Sequence, residues 1–200
     1  MRLNKIGIII VIFYFVISTS VQAYSTNPKE FIQELVNDAI SQLSDKSVQQ
    51  EEKVKFIENL AINHVDVKGL SLYTLGEIRK TTDKERLERY QIAFEKYFLK
   101  SLTSRLTDYS SSDFIVTDSD QKSSNYTIVS SKVKPTNGDP EIKIDWRVYT
   151  KNPDRPLIRD LIVEGLSLAR TQKEEFSSIL NSNNNNVDIL ISKLEEFVQN

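Results

Sequence analysis

Through the first half of the chain apolar residues recur three and four apart, the spacing of one face of an α-helix. "NPKEFIQELVNDAISQL" places Phe31, Leu35, Val36, Ala39, Ile40 and Leu43 on such a face. It opens with Asn27 as N-cap, Pro28 at the first helical position and Glu30 as the capping-box acid. A second helix is predicted from about Val48 to His64, with Val54, Ile57, Leu60, Ala61 and His64 on one side. "VDVKGLSLYTLGE" follows as a short segment punctuated by Gly69 and Gly76. The longest helix starts at a Thr82–Glu85 capping box and carries Leu87, Tyr90, Phe94, Tyr97, Phe98, Leu102, Leu106 and Tyr109 on its stripe. At 1.5 Å per residue it would run about 40 Å.

After "SSSD" the period falls to 2. "FIVTDS", "NYTIVSSKVK", "EIKIDWRVYT" and "PLIRDLIVEG" read as four strands, separated by turns such as "PTNGDP" and "KNPDRP". Short connections make them antiparallel neighbours. Helices, then strands, then helices predict an α+β fold, an antiparallel sheet of about four strands packed against a bundle of helices. "IRDLIVEGLSLARTQKEEF" begins as a strand and ends as a helix. Strict alternation puts Leu161 and Val163 on one face and Ile158 and Ile162 on the other, with Gly165 as a bulge or bend and with Asp160 and Glu164 at the solvent rim. The tail holds two short helices around the run Asn183 to Asn186.

The N-terminus adds a compartment to this plan. Arg2 and Lys5 precede an apolar run from Ile6 to Ile17, and Val21-Gln22-Ala23 is a small-residue cleavage site, so residues 1–23 read as a secretory signal and 24–200 as one domain. The run is too short for a membrane-spanning helix, which needs about 20 apolar residues. With no cysteine the chain has neither a lipobox nor a disulfide framework, and a conventional core must hold it. Without Arg2 and Lys5 the balance is 24 basic against 28 acidic residues, which gives no reason to expect nucleic acid.

Chemistry is sparse. There is one histidine, His64, and no glycine-rich phosphate loop. His64 and Asp66 are two apart on a helix and do not share a face. Asp145 and Arg147 alternate away from Trp146, and Asp160 and Glu164 would stand about 13 Å apart on a strand, too far to cooperate. No catalytic residue and no metal ligand is therefore assigned.

The segments "LGEIRKTTDKERLERYQIAFEKYF" and "WRVYTKNPDRPLIRDLIVEGLSLARTQKEEFSSIL" resemble the MlaC family, periplasmic phospholipid-binding proteins also described as toluene-tolerance or ABC-transporter auxiliary components. The shared marks are Leu75-Gly76 ahead of a helix with Tyr90, Ala93, Phe94 and Tyr97; Trp146 on the third strand; and Asp160, Val163, Gly165, Ser167 and Leu168 leading to Phe176, Ile179 and Leu180. The chain departs where the family often has glycine after the penultimate helix: Asn183 to Asn186 stand there, and asparagine tolerates the left-handed C-cap next best.

The resemblance implies an NTF2-like cone whose apolar cavity, between sheet and helices, holds one phospholipid as cargo, with no cofactor. The cavity-lining positions expected are Ile142, Ile144, Trp146 and Val148 on the third strand; Leu161, Val163, Leu166 and Leu168 after it; and Phe94, Tyr97 and Phe98 on the long helix, with Leu75 and Ile78 at the mouth. It implies as partners an outer-membrane MlaA-type lipoprotein complex and an inner-membrane MCE-type ABC transporter, served by a monomeric carrier. Two other classes stay open on the residues alone. One is an enzyme on the same cone, drawing on His64, Asp66, Asp145 or Asp160. The other is an exported interaction protein with a solid core.

Overall fold

The computed structural model describes residues 24–106, 112–135 and 140–200. The predicted signal, Tyr109 and the turn at 136–139 lie outside them. The order of elements is α1 (Pro28–Ser44), α2 (Gln50–His64), α3 (Val67–Leu75), a 3₁₀ turn (Gly76–Lys80), α4 (Lys84–Leu106), β1 (Ser112–Ser123), β2 (Tyr126–Pro135), β3 (Ile142–Tyr149), β4 (Leu157–Val163), β5 (Leu166–Ser167), α5 (Leu168–Asn181) and α6 (Val187–Gln199). The strands form one antiparallel meander in the order β1-β2-β3-β4-β5. Among the described residues no helix is long and apolar enough to cross a membrane.

Local chemistry sets the helix ends. The Asn27 side chain accepts the N–H groups of Lys29 and Glu30 at the start of α1. Its own N–H goes to Ser25 Oγ, which donates to Glu30, so the box closes through Ser25. Thr82 is not the cap of α4. Its hydroxyl bonds Ile78 O at 2.8 Å, and Asp83 caps the helix by accepting Arg86 N–H at 2.9 Å. The 23 residues of α4 span about 34 Å. Between α5 and α6, Asn184 (φ 54°) and Asn185 (φ 58°) take the left-handed conformation, and Asn186 caps α6.

The segment around Gly69 is a helix, α3, not a punctuated loop. Asp66 accepts Gly69 N–H at 2.9 Å as its N-cap, and Gly76 ends it with φ 67°. Gly69 fits inside the first turn because a Cβ there would overlap the Asp66 carboxylate, 2.3 Å from its Oδ2.

The core is in two parts. One lies among α3, α4, α5 and α6, with Tyr90, Phe94, Phe176, Leu190 and Ile191 at its centre. The other lies between α1 and the sheet, where Phe31, Ile32 and Leu35 meet Phe114, Val116, Val129, Val148 and Ile158. Val65, between α2 and α3, packs against both.

Helix propensity alone makes Gly69→Ala stabilising by about 1 kcal/mol. The Asp66 side chain is held by Gly69 N–H and by Arg159 Nε at 2.6 Å, so it cannot yield without losing its cap and its ion pair. Gly69→Ala is therefore expected to destabilise by about 1–2 kcal/mol in urea unfolding, the magnitude of a lost cap. In an Asp66→Ala background that cost should disappear.

Candidate functional site

Directly opposed residues of an antiparallel sheet point to the same side, so the register defines one face row by row. The rows are Phe114–Val133–Ile142; Val116–Ser131–Ile144–Val163–Leu166; Val129–Trp146–Leu161; and Thr127–Val148–Ile158. The register also sets Ser119 and Gln121 of β1 opposite Val129 and Thr127, so the face is apolar apart from Ser131, Thr127 and those two exposed residues. The last row is buried in the sheet-side core, and burial falls away toward the β3–β5 corner. There Ile142, Ile144 and Val163 are only half-buried and Leu166 is 56% exposed.

Ile158 belongs to this face rather than the opposite one. The ladder shifts between Arg147 and Val148, so Arg159 is an extra residue and the alternation of β4 inverts across it. The side chain freed by the bulge reaches back to Asp66 Oδ2 at 2.6 Å and lies over the Tyr149 ring, 3.4 Å from its centroid. Gly165 is not a bulge. With φ 82°, and Glu164 at φ 50°, it forms the two-residue turn between Val163 and Leu166.

Trp146 is fixed by a contact that sequence reasoning missed. Its Nε1–H donates to Ser131 Oγ at 2.8 Å, and that hydroxyl donates to Ile144 O at 2.9 Å. The indole meets Phe114 edge-on, with centroids 6.1 Å apart. Ser131 sits one row away from Trp146, and nothing in the period-2 pattern marks it. A buried indole nitrogen needs such a partner.

The positions expected to line a cavity divide between these surroundings. Val148 is fully buried in the sheet-side core, with Trp146 and Leu161 partly buried against it. Leu75 and Phe94 are buried in the helical core, and Ile78, Tyr97 and Phe98 pack partly buried on that core. Leu75 is thus an interior residue of the helical layer. Ile142, Ile144 and Val163 form the half-covered corner, while Leu166 and Leu168 stand at its exposed end.

The ionisable candidates are not gathered at this face. Asp160 is buried, not at a solvent rim. It accepts Ser167 Oγ–H at 2.6 Å and Ala169 N–H at 3.0 Å, fastening the start of α5 to β4, with Arg147 at 3.7 Å. Asp145 pairs opposite Ile162, so it shares the outer face with Asp160. Glu164 accepts the Lys143 N–H at the turn. Asp66 is occupied by α3 and Arg159. His64 lies edge-on to Tyr24 at 4.8 Å and against Phe31 at 5.7 Å. Burial, then the charge of Arg155, lower its pKa below the usual value. Among the described residues no group of three or more His, Asp and Glu side chains could hold a metal ion.

The family profile described as "MlaC protein" matches residues 33–196 of this chain. The chain belongs to the MlaC family. A solved structure similar to it is a phospholipid-binding protein from Ralstonia solanacearum in complex with a phospholipid. The two superpose with a TM-score of 0.71 over 88% of this chain and 97% of that one, at 19% sequence identity. A likeness at that identity establishes a shared fold, and it fits the NTF2-like arrangement expected of the MlaC family. No curated protein matches the chain. The MlaC match runs from within α1 to within α6, so it includes the whole sheet and all of both cores but Phe31 and Ile32.

The His64 environment has a consequence for stability. The folded state disfavours imidazolium, while the unfolded chain takes up a proton near the ordinary value of 6.5. Acidification through that value favours unfolding, so stability should fall from about pH 7.5 to about pH 5.5. His64→Phe, which keeps a ring against Tyr24 and Phe31, should lose less over the same interval. Urea midpoints of the two proteins at both pH values make the comparison.

Proposed function

We propose that this protein is a periplasmic phospholipid carrier. The observation that carries the reading is the half-covered apolar corner of the sheet: Ile142, Ile144, Val163 and Leu166 continue the core face outward through Trp146 and Leu161, and are more exposed than Val148 and Ile158 of the same face. On this reading the acyl chains enter at that corner, with the partly buried rings of Tyr97 and Phe98 as the helical side of the slot.

The energetics favour a carrier. Two acyl chains bring roughly 30 methylenes, each worth about 0.8 kcal/mol against water. Against a bilayer that gain nearly cancels, so loading and unloading are both possible only if the slot is about as dry as hydrocarbon and holds the headgroup weakly. Asp145 and Asp160 belong to the opposite sheet face, and His64 is packed edge-on among rings. That dispersal argues against an acid/base site and in favour of binding without chemistry.

The signal read in residues 1–23 supports export, and the family supports a monomer that passes lipid between an outer-membrane MlaA-type lipoprotein complex and an inner-membrane MCE-type ABC transporter, maintaining the asymmetry of the outer membrane.

The chain from Tyr24, produced in bacteria and purified without detergent, is expected to yield phospholipid by mass spectrometry of an organic extract, near one lipid per chain. Val163→Asp puts a carboxylate on the half-buried corner, where a charge among acyl chains costs about 3 kcal/mol or more, over a hundredfold in retention. It should fold cooperatively and be essentially lipid-free. Lipid-free wild-type protein, or full load in folded Val163→Asp, would refute the reading.

A further inference from the structure

We propose that Ser131 is a positioning residue of the lipid slot: its hydroxyl holds the Trp146 indole over β2 and so leaves the apolar side chains of β3 and β4 free for acyl chains. This role rests on the carrier reading above, and it gives the slot a residue that acts through another.

Sheet order fixes which way the ring has turned. Trp146 lies on β3, with β2 on one side and β4 on the other, each strand about 4.8 Å away. Its Nε1 reaches Ser131 Oγ on β2 at 2.8 Å. Its ring lies edge-on to Phe114 on β1, one strand farther, with centroids 6.1 Å apart. Both contacts draw the indole away from β4. The burial of the face follows the same division. Phe114 and Ser131 are buried, as is Val129 directly opposite Trp146 on β2. Leu161, opposite Trp146 on β4, is only half-buried, and so are Ile144 and Val163 in the next row.

The hydrogen bonds are directional. An indole N–H can only donate, whereas a serine hydroxyl can donate or accept. The Ser131 proton is committed to Ile144 O at 2.9 Å, so the hydroxyl presents lone pairs to Nε1. Both bonds of this fully buried side chain therefore go to β3, the strand that carries the indole. Rotation about the Trp146 Cα–Cβ bond to a rotamer facing β4 would bring the N–H among Leu161, Val163 and Ile144, side chains that offer no acceptor. Main-chain carbonyls inside a sheet are taken by the ladder, so the N–H would be left unpaired. While Ser131 is present the ring stays over β2. Without the hydroxyl that preference is gone, and an indole over β4 covers the same half-buried residues that acyl chains need.

The chain from Tyr24 contains a single tryptophan, so its emission reports Trp146 alone. In Ser131→Ala, phospholipid per chain after detergent-free purification is expected to fall about three- to tenfold by mass spectrometry, the range of one hydrogen bond. Time-resolved emission anisotropy should gain a fast component from the released ring. Ser131→Cys, close in size but a weaker acceptor, should fall between, and it carries the same comparison if the alanine variant does not fold. The deciding comparison is made in a Trp146→Phe background, which has no N–H to hold. There Ser131→Ala should leave the lipid load where Trp146→Phe alone puts it. A residue that only braces the sheet would lower the load equally in both backgrounds, and that result overturns the proposal. So does an unchanged load in folded Ser131→Ala, and so, whatever the load of Trp146→Phe, does an unchanged anisotropy decay. Lipid-free wild-type protein would instead refute the carrier reading, and this role with it.

Discussion

Two residues between α2 and α3 hold the fold in one piece. Asp66 N–H donates to Ile158 O at 2.9 Å, its carboxylate caps α3 through Gly69 and grips Arg159, and Val65 beside it packs into both cores. The helical layer and the sheet layer are thereby tied together at the β4 end of the molecule. From that joint each layer completes its own core: Tyr90, Phe94 and Leu190 on one side, Phe31, Val129 and Val148 on the other. A protein built as one continuous core would have no use for half-buried apolar residues at Ile142, Ile144 and Val163. One built as two cores joined along one edge leaves such positions between its layers as a matter of geometry.

The sheet face shows how a binding surface and a folding core can share one set of side chains. Trp146 stands where the buried rows give way to the half-covered ones, and it is fixed there through Ser131 and Phe114. Toward α1 its neighbours are excluded from water by the chain itself; toward β5 they are not. Polar chemistry is kept to the reverse side, where Asp160 anchors α5 and Arg147 partners it. Separation of this kind lets α5 be positioned by strong hydrogen bonds without placing a charge on the apolar side.

Much of this was legible in the residues. Periodicity marked α1, α2, α4 and four strands, and Asn27, Pro28 and Glu30 marked the first helix start, because those signals are local. The apolar row on β3 was legible for the same reason: Ile142, Ile144, Trp146 and Val148 alternate without interruption. What could not be read depended on partners distant in sequence. Asp160 looks like any strand carboxylate until Ser167 and Ala169 close over it. Ile158 was assigned to the wrong face because a bulge is a property of a strand pair, and the strand alone gives no sign of it. Gly69 was taken as a break because glycine usually is one; here it is required by the cap that precedes it. The contact of Lys173 with the Tyr73 ring was illegible too, since the two meet only when α3 and α5 pack.

The bulge at Arg159 also bears on how such a chain can diverge. Swapping side chains along β4 changes volume or charge at one place. Losing one residue there would instead close the bulge into a regular ladder, with Ile158 still opposite Val148 but with no extra side chain left to grip Asp66. Length in this strand is therefore constrained as well as identity, and related sequences should place their insertions and deletions outside Leu157 to Val163.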